Sequence, residues 1–151
     1  MKFLADTMLG TLARWLRVLG FDTVYANDSG DKEILELAIR ENRTILSRDR
    51  ELCSRKEGSI YIDSKDLDSQ ISQVVALFPA SEKLVLTRCL DCNSLLVSIP
   101  QCEAIGHVPG GVSGRYDEFW KCGTCDKYFW HGSHWQNMKR KAELLCVQRF
   151  S

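Results

Sequence analysis

Two pairs of cysteines have the spacing of metal-binding knuckles. Cys89 and Cys92 form the first pair, and Cys122 and Cys125 form the second, with a glycine-containing stretch between them long enough to close a loop. Four thiolates arranged in this way suit a tetrahedral zinc ion at a closed structural site. Four unrelated buried thiols are a weaker alternative, because the CxxC spacing occurs twice. The spacing therefore predicts structural zinc.

Cysteine usage also indicates a reducing compartment. The chain has 7 cysteines, an odd number, and Asp6 interrupts the start before a signal-like apolar stretch can form, which disfavours a disulfide framework. Redox chemistry by one pair remains an alternative, but neither pair lies in the α/β part, where a thioredoxin-like motif belongs. Cys53, Cys102 and Cys146 are interpreted as ordinary small apolar residues.

A second set of candidate residues consists of aspartates that directly follow short apolar runs. Asp6 follows KFLA, Asp28 and Asp31 follow TVYA, Asp49 follows TILS, and Asp63 follows SIYI. If these runs are strands of one parallel sheet, their carboxyl ends share an edge and the acids converge there. Converging carboxylates bind Mg²⁺ or Mn²⁺, which promote attack on a phosphodiester. The pattern predicts a metal-dependent nuclease site.

Two alternatives stay open for these acids. Asp6, Asp28 and Asp31 could simply cap the helices that follow them, although capping gives no reason for an acid at Asp49. A phosphotransfer or phosphatase domain would also place acids at this edge, but the first strand carries a single Asp without a DxD pair.

Basic residues near the acids are candidates for phosphate contact. Arg14 and Arg17 lie on the first predicted helix, and Arg48 and Arg50 flank Asp49. Arginine suits bidentate contact with phosphate, while a solvated helix face is the alternative, above all for Arg17.

The last predicted helix carries a second basic cluster. Lys139, Arg140 and Lys141 lie close in sequence to Trp130 and Trp135, a mixture that suits backbone contact and base stacking on single-stranded RNA. The tryptophans could equally belong to the core around the zinc, which we favour.

The elements that position these residues follow from periodicity. In residues 1–83, apolar runs alternate with segments of helical period at 7–19, 31–42, 50–56 and 65–78, which predicts a parallel sheet flanked by helices. Thr7 is the expected N-cap of the first helix, and Gly20 its stop. Residues 84–151 read as a small β module (LVLTRC, SLLVSI, EFWKC, YFW) held by metal instead of a core, ending in a helix over 134–146.

Composition excludes several classes of protein. The 20 basic and 20 acidic residues give zero formal charge, so no polybasic or acidic tail dominates. No apolar run approaches the roughly 20 residues needed to cross a bilayer. We expect a soluble, intracellular and cytoplasmic protein without a membrane partner.

Taken in order, the motifs FLADTMLGTLARWLRVLGFDT, SRDREL, RCLDCN, YDEFWKC and YFWHGSHWQNMK resemble the Mut-seven C-terminal ribonuclease domain family. The resemblance covers essentially the whole chain. It implies a PIN-like α/β nuclease fold with a zinc ribbon that aids RNA engagement, and a metal-dependent attack on RNA. The family also occurs as the C-terminal domain of larger proteins with a 3′-to-5′ exonuclease domain.

Carried over by position, the resemblance assigns roles to the candidate residues. Asp6, Asp31 and Asp49 would hold Mg²⁺ or Mn²⁺, with Arg14 and Arg48 near the phosphate. The four knuckle cysteines would bind zinc. The fourth acid stays open among Asp28, Glu36 and Asp63, because Gly30 stands where an additional polar residue is often expected.

These observations leave two leading hypotheses. The first is a metal-dependent ribonuclease. The second is a non-catalytic RNA-binding and protein-interaction domain, such as the C-terminal part of a larger 3′-to-5′ exoribonuclease, whose partner is another protein or the exonuclease domain of the same parent chain.

Overall fold

A computed structural model describes residues 1–147, so the last four residues of the predicted second part, 148–151, lie outside the described range. The strands of this range are β1 (Lys2–Ala5), β2 (Asp22–Tyr25), β3 (Thr44–Ser47), β4 (Ile60–Tyr61), β5 (Leu96–Ile99), β6 (Phe119–Cys122) and β7 (Tyr128–Trp130). The helices are α1 (Gly10–Val18), α2 (Asp31–Arg40), α3 (Arg50–Ser54), α4 (Leu67–Leu77), α5 (Gln101–Ala104), α6 (Val112–Arg115) and α7 (Ser133–Val147).

The first four strands form one parallel sheet in the order β2-β1-β3-β4. Leu4 of β1 lies opposite Val24 of β2 and Ile45 of β3, and Ser47 of β3 lies opposite Tyr61 of β4. Because the intervening helices return the chain in the same direction, the carboxyl ends of all four strands lie along one edge. This confirms the predicted parallel sheet flanked by helices.

The first helix begins differently from the prediction. Asp6, not Thr7, caps the 3₁₀ turn Thr7–Leu9 that precedes α1, and its Oδ1 accepts the N–H of Thr7 at 2.7 Å. The Thr7 hydroxyl instead donates to the carbonyl oxygen of Ala26 at 3.1 Å. Gly20 follows α1 with φ 89°, and a Cβ there would lie 2.3 Å from the carbonyl oxygen of Leu84, so the chain after residue 83 presses directly against this turn.

The second part contains an antiparallel sheet in the order β5-β6-β7. The predicted strand LVLTRC is wrong. The 3₁₀ turn Glu82–Leu84 and the positive φ of Leu86 (58°) break the extension, and Arg88 forms a single bridge with Leu95. The predicted terminal helix is confirmed as α7.

The predicted boundary at residue 84 separates the two sheets but not the hydrophobic core. One buried cluster contains Phe3 and Leu12 from the first part together with Leu86, Trp135 and Leu145 from the second. Helix α7 contacts both α1 and α4. The module around the cysteines is therefore held by shared apolar packing as well as by any metal, contrary to the expectation from sequence.

Candidate functional site

The four knuckle cysteines form a cluster with the dimensions of a metal site. Their sulfur atoms all lie within 4.8 Å of one another, with Sγ–Sγ distances of 3.5 Å for Cys89 and Cys125 and 3.3 Å for Cys92 and Cys122. Metal–sulfur bonds of about 2.3 Å in a tetrahedron place sulfur atoms about 3.8 Å apart. This cluster can hold a metal such as zinc.

The same backbone turn carries each pair. In each turn, the first cysteine donates its N–H to the carbonyl oxygen five residues later, and its own carbonyl oxygen accepts the N–H of the residue four later. The two distances are 2.8 and 2.9 Å for Cys89, and both are 2.9 Å for Cys122. The residue directly after the second cysteine has positive φ in both turns, 73° at Asn93 and 56° at Asp126. Asn and Asp tolerate this conformation better than other side chains. Local backbone chemistry therefore builds both knuckles.

The thiols of the cluster differ in acidity. Burial raises the pKa of Cys89 to about 12. Burial also opposes ionisation of Cys92, but hydrogen bonds with Ser94 and Cys122 outweigh it and lower the pKa of Cys92 to about 6. Metal binding requires thiolates and releases their protons, and Cys92 ionises more readily than Cys89 or Cys125.

A buried arginine joins the first knuckle to the parallel sheet. Arg17 is 8% exposed; its Nε donates to the carbonyl oxygen of Thr23 at 2.9 Å, and its Nη1 donates to the carbonyl oxygens of Leu90 and Asp91 at 2.8 and 3.1 Å. Burial lowers the pKa of this guanidinium. Phosphate contact and a solvated face, the two interpretations from sequence, are both wrong for Arg17. Its Nε and Nη1 donate instead to carbonyl groups of the parallel sheet and of the first knuckle, and we call this region of contact the joint.

A second set of polar contacts strengthens this joint. The Asn93 side chain accepts the N–H of Thr23 at 2.9 Å and donates to Asp22 Oδ1 at 2.7 Å. Arg43 Nη1 donates to the same carboxylate oxygen at 2.7 Å. Burial alone would raise the pKa of Asp22, but the hydrogen bonds from Arg43 and Asn93 prevail and lower it. The first knuckle is thereby fixed to the beginning of β2.

At the carboxyl edge of the sheet, a serine connects two of the predicted acids. The Ser47 hydroxyl donates to Asp6 Oδ2 at 2.7 Å and accepts the N–H of Asp49 at 2.9 Å. Ser47 is fully buried, whereas Asp6 is partly exposed and Asp49 is exposed. This chain of bonds holds the ends of β1 and β3 together and presents both carboxylates at the surface.

An arginine lies beside the third predicted acid, Asp31. Asp31 begins α2, and its Oδ2 lies 3.7 Å from Arg55 Nη1. Arg55 Nη2 also pairs with Glu51 Oε1 at 2.7 Å. The hydrogen bond and charge of Glu51, and then the charges of Asp31 and Asp49, raise the pKa of Arg55. Asp31 and Asp49 therefore share a cationic neighbour.

The acids do not form a compact ligand set in this arrangement. Among residues 1–147, the four cysteines are the one group of three or more His, Cys, Asp or Glu side chains with ligand atoms close enough to hold a metal. Asp49 Oδ1 accepts the N–H groups of Glu51 and Leu52 at 2.8 and 3.3 Å and so caps α3. Capping, the alternative considered from sequence for Asp6, does apply to it. It applies to Asp49 as well, so the expectation that capping gives no reason for an acid there is wrong.

Other candidates at this edge differ in their surroundings. Asp28 and Asp63 are exposed. Arg48 Nη2 donates to the carbonyl oxygen of Asp63 at 3.3 Å, while its buried Nε has no partner among the described residues. The guanidinium of Arg50 lies 4.0 Å from the centre of the Tyr61 ring.

The remaining basic candidates lie away from that edge. Arg14 Nη1 lies 3.1 Å from Asp91 Oδ1 in the first knuckle. Lys141 lies 2.6 Å from Asp68 Oδ1 and stands over the Trp15 ring, so it contacts the first part of the chain. The Lys139 ammonium lies 3.9 Å from Glu143 Oε1. Arg140 is exposed and forms no ion pair with the described residues.

Two residues that matter here, Ser47 and Asn93, were missed from sequence, and the role of a third, Arg17, was misassigned. The signal for Asn93 was present, because Asp126 occupies the same position after the second knuckle. Ser47 gave a weaker signal as the last, polar residue of an otherwise apolar strand. Arg17 gave none, since a lone arginine beside an apolar stripe is ordinarily solvated.

Comparison with known proteins adds one match. The family model described as Mut7-C RNAse domain matches residues 1–142. No curated protein and no solved structure matches the chain. Across the described residues, every helix is too short or too polar to span a membrane.

Proposed function

We propose that this chain, which belongs to the Mut7-C RNAse domain family, is a metal-dependent ribonuclease that hydrolyses phosphodiester bonds of single-stranded RNA. Family membership indicates a nuclease-like domain whose substrate or partner is RNA. The observation that supports catalysis is the hydrogen-bonded chain Asp6–Ser47–Asp49 at the carboxyl edge of the parallel sheet, where ligands of such sheets bind.

The donors at this edge suit a hard cation. Asp6, Asp31 and Asp49 present carboxylate oxygens, which Mg²⁺ and Mn²⁺ prefer. Asp49 uses Oδ1 for the α3 cap, and its Oδ2 accepts no hydrogen bond from the described residues. When bound, the cation would lower the pKa of water and offset the charge that develops on the phosphodiester.

The chain's own residues would prepare the site for that cation. Ser47 fixes the orientation of Asp6 by donating to Oδ2, and α3 fixes Asp49 by donating to Oδ1. Arg48 follows directly after β3, and we expect the exposed part of its guanidinium to bind the phosphate. Fixing carboxylates before the ion binds lowers the cost of assembling the site.

We assign the four-cysteine cluster to structural zinc. All four positions are occupied by cysteine thiols, which leaves no open coordination position for a substrate. The two knuckle turns and the contacts of Arg17 and Asn93 make the cluster part of the scaffold, so its role is to hold the second part of the chain against the sheet.

A second candidate function is supported by the capping bonds. Asp6 caps the turn before α1 and Asp49 caps α3, so both acids have a structural use without any metal. A domain that binds RNA without cleaving it, and that recruits a protein partner or serves an exonuclease domain of a larger protein, would keep these bonds.

Asparagine substitution separates the two functions. Asn caps helices about as well as Asp but lacks the charge that holds a divalent cation. In the ribonuclease, Asp6→Asn and Asp49→Asn abolish Mn²⁺-dependent cleavage of a labelled single-stranded RNA. Thermal unfolding stays unchanged for Asp49→Asn, whereas Asp6→Asn loses the acceptor of the Ser47 hydroxyl and should cost about 1–2 kcal/mol, too little to unfold the chain.

The matched control is Asp66→Asn, which changes another capping aspartate, that of α4, outside the Asp6–Ser47–Asp49 chain. It should cleave normally. RNA binding without cleavage in any divalent metal, unaffected by Asp6→Asn, would instead establish the non-catalytic domain.

A further inference from the structure

The second part of the chain has a groove between its sheet and α7 that the proposed cleavage site does not use. Two adjoining cavities of about 210 and 310 Å³ share the side chains of Leu86 and Trp135. We call this pair of cavities the ribbon groove. The larger cavity has the size of the smaller ligand pockets found in proteins.

Stacked aromatic rings line the smaller cavity. The rings of Trp120 and Trp135 are 5.2 Å apart and nearly parallel at 14°, and the His131 ring lies 4.6 and 5.1 Å from them. Burial lowers the pKa of His131, which favours the neutral imidazole at neutral pH. Flat, uncharged rings of this kind offer stacking surfaces for nucleobases.

One polar atom of the groove lacks a partner. Trp135 is 8% exposed, and its Nε1 is buried without a hydrogen-bond acceptor among the described residues. A buried donor left unpaired costs free energy, and an acceptor could pair with this one only if the Trp135 ring shifted. Nucleobases carry such acceptors on their edges.

Each cavity of the groove has a cationic side chain in its lining. Lys139 lines the smaller cavity and Arg14 the larger one, and both side chains are about half exposed. Their acidic neighbours, Glu143 and Asp91, form exposed ion pairs that cost little to open. A phosphate entering either cavity would therefore meet a positively charged side chain.

We propose that the ribbon groove binds unpaired nucleotides of single-stranded RNA, with bases against the partly exposed rings of Trp120 and His131 and with phosphates at Lys139 and Arg14. This inference rests on the proposed function for its choice of RNA. It places an RNA-docking site on the second part of the chain, apart from the acids that would cut.

The test uses the full chain and a labelled oligouridine, with binding followed by fluorescence anisotropy. Lys139→Glu and His131→Ala should each weaken binding roughly tenfold, and His131→Phe should restore it because the ring is replaced. Arg40→Glu is the matched charge reversal, since Arg40 is an exposed residue at the end of α2, and it should change binding less than twofold.

Cleavage kinetics separate this inference from the proposed function. Groove variants should raise KM and leave kcat unchanged, whereas Asp6→Asn abolishes kcat. RNA binding that the groove variants leave intact would overturn the docking site while the ribonuclease stands. A chain that neither binds nor cleaves RNA would overturn both, and a groove that instead binds acidic peptides would point to a protein partner.

Discussion

The cysteine cluster and the acidic edge both gather side chains from distant parts of the sequence, but by different means. Each cysteine pair lies in its own backbone turn, and those turns are the same in both knuckles. The acids come from separate strands and helices, and Ser47 and Arg55 connect them. The sulfur atoms of the first group all lie within 4.8 Å of one another, whereas the carboxylates of the second group form no such cluster and would come together only around the cation that we propose.

The comparison indicates a division of labour. A closed, partly buried cluster supports the fold, because protonation or loss of one ligand leaves buried thiols without a partner. An exposed set of acids is free to exchange ions and substrate. Substitutions in the cluster should therefore act on stability, and substitutions at the edge should act on activity.

The largest effect is expected at the cysteine cluster. Cys89→Ser removes one ligand, and the whole chain, which shares its core with the second part, should lose its cooperative unfolding transition. Apparent zinc-binding free energies in small domains are about 10–16 kcal/mol, more than the usual stability of a domain. Circular dichroism on heating, with zinc content measured in parallel, checks this.

Cys102→Ser is the matched control, because Cys102 is exposed and outside the cluster. Its melting curve and zinc content should match those of the unmodified chain. An unchanged melting temperature for Cys89→Ser would show that apolar packing alone holds the second part in place.

The joint between the regions should show the next largest effect. Arg17→Met keeps the apolar stem but leaves the carbonyl oxygens of Thr23, Leu90 and Asp91 without their donor. We expect a loss of about 3–5 kcal/mol in the free energy of unfolding, measured in urea. Arg14→Met, on the exposed face of the same helix, should cost less than about 1 kcal/mol; equal losses would contradict a special role for Arg17.

At the acidic edge, Ser47→Ala should affect both properties moderately. It removes a buried hydroxyl that donates to Asp6 and accepts from Asp49, at a cost of about 1–2 kcal/mol. The cleavage rate should fall by more than the loss of folded protein accounts for, because Asp6 loses the hydroxyl donor that orients its carboxylate. Ser54→Ala, in α3, is the control, and normal cleavage by Ser47→Ala would remove the serine from the site.

The smallest effect concerns pH. The pKa of Asp22 is lowered in the folded chain, so its contribution to stability is present above the unfolded pKa near 3.9 and disappears as the pH falls through the lower, folded value. In Asp22→Asn this part of the acid dependence should be missing. The free energy of unfolding in urea is measured for Asp22→Asn and for the unmodified chain from pH 6 downwards. Any loss of metal at low pH affects both chains equally, so the difference between them isolates the contribution of Asp22.

Periodicity and spacing were enough to predict the parallel sheet, its helices and the cysteine cluster. These features depend on local patterns: alternating apolar runs, helical stripes and the CxxC repeat. Convergence of the strand ends also follows from parallel topology. The distances between the acids do not, because they depend on side-chain partners such as Ser47 and Arg55, which no sequence pattern identifies.

Sequence analysis failed most at the joint, where it predicted neither the course of the backbone nor the contacts between the two parts of the chain. LVLTRC has the composition of a strand, but the chain at Leu86 must turn to pass Gly20 and enter the shared core. Arg17 and Asn93 serve contacts about 70 residues away in sequence. Contacts of this range leave no periodic trace, so a boundary drawn from composition hides them.

The position of α7 has a consequence for synthesis of the chain. Its apolar face covers α1 and α4, yet it is translated after both sheets. At about 5–20 residues per second, the ribosome needs several seconds to progress from residue 83 to the end of α7. During that interval the apolar surfaces that α7 covers on α1 and α4 are exposed, so we expect the nascent chain to be prone to aggregation until α7 emerges.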